Sequence, residues 1–271
     1  MILGRVLALA QKEHLRTEME VFLAHLLGCS RLDLLVRSEE EVPVEKLAEL
    51  QKGWIRLQDG LPVAYLTHEK EFYGVNFYVD ERVLVPRPET EQLVDLVLKH
   101  AKKSVLELGT GSGAIACSVK KGRPELEVTA TDISAEALAI ASKNCVQLGV
   151  GVDLIQSDLL REVPERDFDV LVANLPYIGT QTHNFIADNV DRHEPHLALD
   201  GGSDGLELYS RLFDEILSQK RDFKFILGEI GFSQGVDIQK LCMEKLPAYR
   251  FTLLQDLQGL DRHFVLERIE F

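Results

Sequence analysis

The apolar run FDVLVA ends at residue 173 and gives way to Asn174, Leu175, Pro176 and Tyr177. An asparagine amide both donates and accepts hydrogen bonds, a proline fixes the backbone beside it, and a tyrosine offers a flat apolar face with a polar tip. Asn and Pro are common turn residues, so the four could simply close a strand. The same residue types at this spacing could instead grip a planar nitrogen.

A second stretch with chemical content is VLELGTGSGAIACSV, residues 105–119, which reads as a strand, a glycine-rich turn and a helix. Gly109, Gly111 and Gly113, with Thr110 and Ser112 between them, let the backbone approach a ligand closely, and the helix that follows offers unpaired N–H groups. Read as G-x-G-x-x-A, the turn fits a dinucleotide fingerprint, with Asp132 ending the next strand at about the 20-residue distance that suits a ribose. The loop alone therefore leaves open a nicotinamide dehydrogenase and an enzyme of an adenosyl cofactor, and Asp132 could also cap the following helix. Glu107, just ahead of the glycines, leans toward the second: a carboxylate is awkward beside a pyrophosphate and useful near an aminopropionate-bearing sulfonium cofactor. The tight Gly-x-Gly-x-Gly form leans the same way. QSDLL brings Asp158 and Leu159 to the end of the third strand. There Asp158 suits an adenine amino group and Leu159 its apolar cover, beside ordinary loop roles for both.

These residues need elements to bring them together. From residue 104 short apolar strands alternate with helices: SVLEL, EVTATD, VDLIQSD, FDVLVAN and FKFILGEI. Such alternation implies parallel βαβ units in an α/β fold, and near-continuous apolar strands imply a sheet covered on both faces. The end of the chain, YRFTLLQDLQGLDRHFVLERIEF, has two extended runs around a Gly-containing turn and should close the sheet as an antiparallel hairpin. Residues 1 to about 60 carry only helical periodicity, with Leu15, Met19, Phe22, Leu23, Leu26 and Leu27 on one face and Leu47, Leu50, Trp54 and Leu57 on another, until Gly60 and Pro62 stop it. KEFYGVNFYV reads as a short hairpin around Gly74, and VLVPRPETEQLV as a Pro-rich turn with Thr90 as the N-cap of a helix. The expected division is a helical bundle over 1–68, a β-hairpin linker over 69–90 and an α/β domain over 91–271.

With 45% hydrophobic and 27% charged residues in a 271-residue chain, a full core can be buried. No stretch approaches the roughly 20 apolar residues of a membrane span, and the chain reads as an untargeted, cytoplasmic protein. The four cysteines are far apart with no Cys-x-x-Cys pair, which argues against zinc and disulfide frameworks. His193 and His196 are three apart, but Pro195 between them disfavours a regular helix, so no metal is expected. A formal net charge of −14 argues against a broad phosphate-gripping surface and for a protein or small-molecule partner rather than direct nucleic-acid binding.

Asn174-Leu175-Pro176-Tyr177 resembles the Asn/Asp-x-Pro-Tyr/Phe pattern of S-adenosylmethionine-dependent methyltransferases that act on planar nitrogens. An amide or exocyclic amino nitrogen has a delocalised lone pair and is a poor nucleophile until its geometry is pushed toward tetrahedral. If the Asn174 side-chain oxygen and the Leu175 carbonyl accept its two N–H bonds, the lone pair can be aimed at the sulfonium methyl. Pro176 would fix the backbone presenting those acceptors, and Tyr177 would pack on the planar group. Catalysis would rest on positioning and preorganised hydrogen bonds, with the proton released after transfer.

The same tetrad occurs in adenine-N6 and glutamine-N5 methyltransferases. Over nearly its whole length the chain resembles the bacterial release-factor glutamine methyltransferases, through PVAYLTHEKEFYG, VLVPRPETEQLV, LELGTGSGAIA, HEPHLALDGGSDGL, GEIGFSQG and DLQGLDRHF. The resemblance implies a helical N-terminal domain for substrate docking, a β-hairpin linker and a seven-stranded Rossmann-like class I methyltransferase domain. It implies methyl transfer from S-adenosyl-L-methionine, leaving S-adenosyl-L-homocysteine, to the glutamine of the Gly-Gly-Gln motif in class I peptide chain release factors. The alternative is an adenine-N6 methyltransferase of RNA or DNA, and a non-enzymatic cofactor-binding scaffold is the third reading. By position it implies cofactor contacts from Gly109 to Gly113, Asp132, Leu159 and Asn174, with Asn174 to Tyr177 holding the glutamine amide. Position 175 is Leu where the family usually has Pro, and Leu159 stands where relatives often carry an aromatic ring. HEPHLALDGG, in the long connection from Ile178 to Gly202, is expected to wall the substrate pocket, and PRPETE to pack near the cofactor.

Overall fold

The computed structural model of the chain describes residues 1–180 and 192–269. They fall into two units, Met1–Glu69 with residues 192–193, and the remainder from Lys70 onward.

In the first unit, five helices form around the apolar periodicity of the sequence: α1 (Leu3–Lys12), α2 (Arg16–Leu27), α3 (Arg31–Val36), α4 (Leu47–Gln58) and α5 (Val63–Thr67). Leu3, Val6, Leu7, Met19, Leu23 and Leu57 are buried at their centre. Gly28 in the left-handed conformation ends α2, and a reciprocal Ser30–Asp33 capping box starts α3. The helical pattern does not stop at Pro62. Pro62 is the N-cap of α5, where a missing N–H costs nothing.

The second unit opens with a hairpin of β1 (Lys70–Phe72) and β2 (Val75–Phe77), whose buried Phe72 and Phe77 rings meet edge to face at 6.0 Å. The backbone N–H of Tyr73 donates to Glu91 and its hydroxyl to Asp95, tying the hairpin turn to α6 (Glu91–His100). Thr90 precedes α6 but does not cap it with its side chain. A one-turn 3-10 segment, Pro88–Thr90, enters the helix instead, and the Thr90 hydroxyl is spent elsewhere.

Beyond α6 come β3 (Ser104–Leu108), α7 (Ala114–Gly122), β4 (Glu127–Asp132), α8 (Ala135–Leu148), β5 (Asp153–Gln156), β6 (Val170–Ala173), α9 (Glu207–Ser218), β7 (Phe225–Glu229), α10 (Gly235–Lys245), β8 (Tyr249–Gln255) and β9 (Asp261–Arg268). They build one seven-stranded sheet in the order β5-β4-β3-β6-β7-β9-β8. The first five strands are parallel, and β9 runs antiparallel to both β7 and β8. Every residue of β3 and β6 is buried, as a sheet covered on both faces requires. Leu106, Leu108, Leu171 and Ala173 pack into one core layer, and Val105, Val170 and Val172 into the other.

Strand order reverses between β3 and β6, and in open α/β sheets the crevice beyond the carboxyl ends at such a point is where ligands sit. Close packing continues next to it. Gly228 on β7 faces Phe264 on β9, whose ring would lie 2.3 Å from any added Cβ. The buried Tyr209 hydroxyl lies 3.0 Å from the Ala173 carbonyl oxygen and 2.8 Å from that of Glu229, holding the ends of β6 and β7 level.

Candidate active site

A cavity of about 460 Å³ opens at the carboxyl ends of β3, β4, β5 and β6. Of the residues singled out from sequence, Glu107, Gly109, Thr110, Gly111, Ser112, Asp132, Asp158, Leu159, Asn174, Leu175 and Pro176 line it. Gly113 and Tyr177 do not.

The loop after β3 is shaped by its own hydrogen bonds. The Thr110 N–H donates to the Thr131 carbonyl at 2.8 Å, and the Gly113 N–H to that of Thr110 at 2.8 Å. Gly113, at φ +80°, packs on α8, where an added Cβ would lie 3.2 Å from that of Ala141. Its conformation makes the tight turn into α7. Asn144, fully buried on α8, accepts from the Tyr78 N–H and donates to the Tyr78 and Ser112 carbonyls, fastening the loop to the chain that leaves the hairpin.

Three carboxyl groups reach the cavity, each held differently. Glu107 is 1% exposed and accepts from the Thr110 hydroxyl at 2.8 Å and the Ala116 N–H at 3.0 Å; burial pushes its pKa up to about 8. Asp132 accepts from the Gly111 N–H at 2.8 Å and the Ser134 N–H at 2.9 Å, and burial raises its pKa against the pull of those donors. Ser134, not Asp132, is the side-chain cap of α8. Asp158 is more exposed. Nη2 of Arg211 lies 2.9 and 2.8 Å from its two oxygens, and Arg161 stands 3.1 Å away. Leu159, at φ +55°, is held by the Ser157 hydroxyl on its carbonyl at 2.7 Å and adds a buried apolar surface beside Asp158.

Asn174 follows β6, and its Nδ2 donates to the Thr90 hydroxyl oxygen at 3.2 Å. That hydroxyl in turn donates to Glu229 Oε2 at 2.7 Å, and the Tyr177 hydroxyl to Glu229 Oε1 at 3.3 Å. The Tyr177 ring, expected to pack on a planar group, thus hangs its polar tip on the end of β7; burial pushes the phenol pKa far up. Its carbonyl accepts from Gln234 Nε2 at 2.9 Å.

From the stretch HEPHLALDGG, Pro195, Leu197, Ala198 and Asp200 line the cavity. The buried Glu194 accepts from the Val85 N–H at 3.0 Å and from Arg87 Nη2 at 2.5 Å, locking this wall to the PRPETE segment. The first part of the long connection is tied down by a parallel bridge between Ile178 and Asp200, and residues 181–191 lie outside the described residues. His193 Nε2 lies 3.0 Å from the Asp59 carbonyl oxygen, whereas His196 opens the 3-10 turn His196–Ala198. Among the described residues no cluster of three or more His, Cys, Asp or Glu is arranged to hold a metal.

Glu229, Asn144 and Arg211 are not legible as site residues, and although PRPETE and HEPHLALDGG are expected at the site, the ties of Thr90 to Glu229 and of Glu194 to Arg87 within them are not legible either. Of these, Glu229 carries a signal: it is a carboxylate at the end of an otherwise apolar strand, much as Glu107 stands one residue before the end of its own.

The cavity fits an adenosyl cofactor by its own geometry. Gly111 has no atom within 4 Å of where a Cβ would stand, so the loop leaves room for a close ligand. Acidic acceptors stand at separate points of the lining for cationic or hydroxyl-bearing ends, and Leu159 offers a ring cover.

Comparison with known proteins points the same way. The description of the methyltransferase small domain matches residues 88–202, and that of the PrmC N-terminal domain matches residues 5–67. The release factor glutamine methyltransferase of Streptococcus pneumoniae (strain ATCC BAA-255 / R6) is 38% identical over 246 residues, 89% of this chain and 88% of that protein. The protein of the same name from Enterococcus faecalis (strain ATCC 700802 / V583) is 37% identical over 243 residues, 89% of this chain and 88% of its own. In fold, the chain is similar to the N-terminal domain of human METTL16 in complex with SAH, with a TM-score of 0.52 at 16% identity over 73% of this chain and 77% of that one.

Proposed function

This chain belongs to the release factor glutamine methyltransferases, and we propose that it transfers a methyl group from S-adenosyl-L-methionine to the side-chain amide N5 of the glutamine in the Gly-Gly-Gln motif of class I peptide chain release factors. The observation that carries this reading is the shared cavity: Asn174, Leu175 and Pro176 line the same space as the glycine loop Gly109–Ser112. A planar amide held by the tetrad would therefore face whatever the loop holds.

When bound, the cofactor supplies an electrophilic sulfonium methyl. For the chain's own part, the backbone from Gly109 to Ser112 takes the cofactor's body, while Gly113 sets the turn into α7. Asp132 accepts from the ribose hydroxyls. Asp158 accepts from the adenine amino group, since a carboxylate paired with arginine still has lone pairs to offer, and Leu159 covers the ring. Glu107 lies nearest the amino-acid end. The Asn174 Oδ1 and the Leu175 carbonyl accept the two N–H bonds of the glutamine amide and turn its lone pair toward the methyl. Pro176 stiffens that presentation, which makes Leu175 adequate in a position that contributes its carbonyl. Tyr177, its hydroxyl held on Glu229, packs its ring on the planar amide. No base need act before transfer, because the methylated nitrogen is acidic and gives up its proton afterwards.

The net charge of −14 supports a protein rather than a nucleic acid as partner. Leu32, Leu35 and Val36 stand exposed on α3, which supports the helical unit as the docking surface. No described helix is long and apolar enough to cross a membrane, and a substrate that works in translation termination puts the enzyme in the cytoplasm. Incubation with methyl-labelled cofactor and, in parallel, a class I release factor, the same factor with its motif glutamine replaced, and ribosomal RNA tests the reading. Label should enter the unaltered factor alone; label in the RNA, or in the altered factor at the same rate, would overturn it.

A further inference from the structure

The tetrad's asparagine can work only in one of the two orientations of its amide, and the fold carries a group that selects it. An amide substrate nitrogen presents N–H bonds, so Asn174 must offer Oδ1; turned over, its own NH₂ would oppose two donors with two donors. Asn174 meets Thr90 at 3.2 Å through Nδ2, and Thr90 meets Glu229 Oε2 at 2.7 Å. Glu229 lies at the end of β7, 1% exposed, with His263 Nε2 3.5 Å from the same oxygen and the Tyr177 hydroxyl on the other.

Both Glu229 side-chain oxygens accept, one from Thr90 and the other from Tyr177, whereas a threonine hydroxyl has one proton to give and lone pairs to receive. With that proton committed to Glu229, the Thr90 oxygen can only accept. The atom of Asn174 facing it must then be the amide nitrogen, and Oδ1 is left at the other end of the planar group.

We infer that Glu229 is a positioning residue: through Thr90 it fixes the direction of the Asn174 amide, and through Tyr177 it anchors the other end of the tetrad. It touches neither reacting atom. The inference rests on the function proposed above, and deepens it by naming what preorganises the substrate grip. The relay is long-range in sequence, with Thr90 and Glu229 separated by 139 positions, and both are buried. A hydrogen bond away from water holds its direction more firmly than an exposed one.

The test is single-turnover methyl transfer by the full-length enzyme carrying Thr90→Val, which keeps the shape and removes the hydroxyl, Thr90→Ser, which keeps the hydroxyl, and Glu229→Gln, each in the normal and Asn174→Ala backgrounds. Thr90→Val and Glu229→Gln should lower the transfer rate roughly three- to tenfold, the worth of one net hydrogen bond, with cofactor Kd unchanged. Thr90→Ser should restore most of the rate. In the Asn174→Ala background Thr90→Val should cost nothing further, because there is no amide left to orient. An equal loss in both backgrounds, or no loss in either, would overturn the inference and leave Thr90 and Glu229 as packing.

A readout without substrate accompanies it. The side-chain NH₂ resonance of Asn174, identified by its disappearance in Asn174→Ala, should be protected from hydrogen exchange in the unaltered protein and lose that protection in Thr90→Val. Failure of the unaltered enzyme to methylate any release factor would overturn the substrate assignment, and this resonance would then decide the relay by itself.

Discussion

Replacing Gly205 by alanine should cost far more than the backbone conformation alone requires. Gly205 stands at φ +80°, and an added Cβ would lie 2.2 Å from the Tyr177 carbonyl oxygen and 2.4 Å from Gln234 Nε2. Those atoms are the two ends of the hydrogen bond that ties the tetrad's last residue to the chain before α10. The left-handed conformation costs a Cβ-bearing residue about 1–2 kcal/mol. Forcing a methyl into the contact adds about 1–3 kcal/mol of overpacking, and separating the hydrogen-bonded pair about 1 kcal/mol more. Gly149 provides the control: at φ +65° it has nothing within 4 Å of a built Cβ, so Gly149→Ala should show the conformational part alone. Urea unfolding of the two variants should therefore differ by about 2–4 kcal/mol, with Gly205→Ala the weaker. Under conditions where both remain folded, methyl transfer should fall in Gly205→Ala and hold in Gly149→Ala. Equal destabilisation of the two would refute the packing argument around Tyr177.

Three further outcomes are expected. Asn174→Ala should slow methyl transfer by about 10²-fold or more, as loss of a preorganised transition-state partner does, while calorimetric cofactor affinity changes little; near-normal turnover would remove Asn174 from the amide. Asp132→Ala should weaken cofactor binding by losing both the ribose acceptor and the hold on the Gly111 N–H, so an unchanged Kd would take Asp132 out of the site. Burial lifts Glu107 from its ordinary 4.5 to about 8, so the folded chain keeps a proton that the unfolded chain gives up. The stability this brings is fully present below about pH 4.5 and is lost as pH rises through about 8, with a slope on the order of 1 kcal/mol per pH unit in between. Glu107→Gln should lack that slope in urea unfolding compared across this window, and identical pH profiles would show that Glu107 is already ionised in the fold.

Much of this site could be read from local sequence because strand ends announce themselves. The apolar runs that carry Glu107 one residue before their end, or close at Asp132 and Asn174, mark both the strand and the edge at which it delivers its last polar side chain, and parallel connectivity puts those edges together. Thr90 reads as a helix cap within a segment expected near the cofactor, since a Pro-rich turn before acidic residues has the same appearance whether its hydroxyl serves the helix or a distant carboxylate. Its partner Glu229 belongs to a strand that becomes a neighbour of β6 only after the sheet is assembled. The tie of the Tyr177 hydroxyl to Glu229 is not legible either, because residue type alone does not say where the polar tip of a side chain finds its partner. Helix α5 was missed for a local reason: Pro62 breaks a helix that precedes it but suits the start of one that follows.

The central claim is that the accepting atom is the N5 nitrogen of one glutamine side chain. Tandem mass fragmentation of a class I release factor, after incubation with the enzyme and S-adenosyl-L-methionine, tests it most directly. A single methyl group located on the side-chain amide of the Gly-Gly-Gln glutamine is the predicted result. A methyl on any other residue of the factor, or an unmodified factor after complete incubation with enzyme that binds the cofactor, would contradict the account.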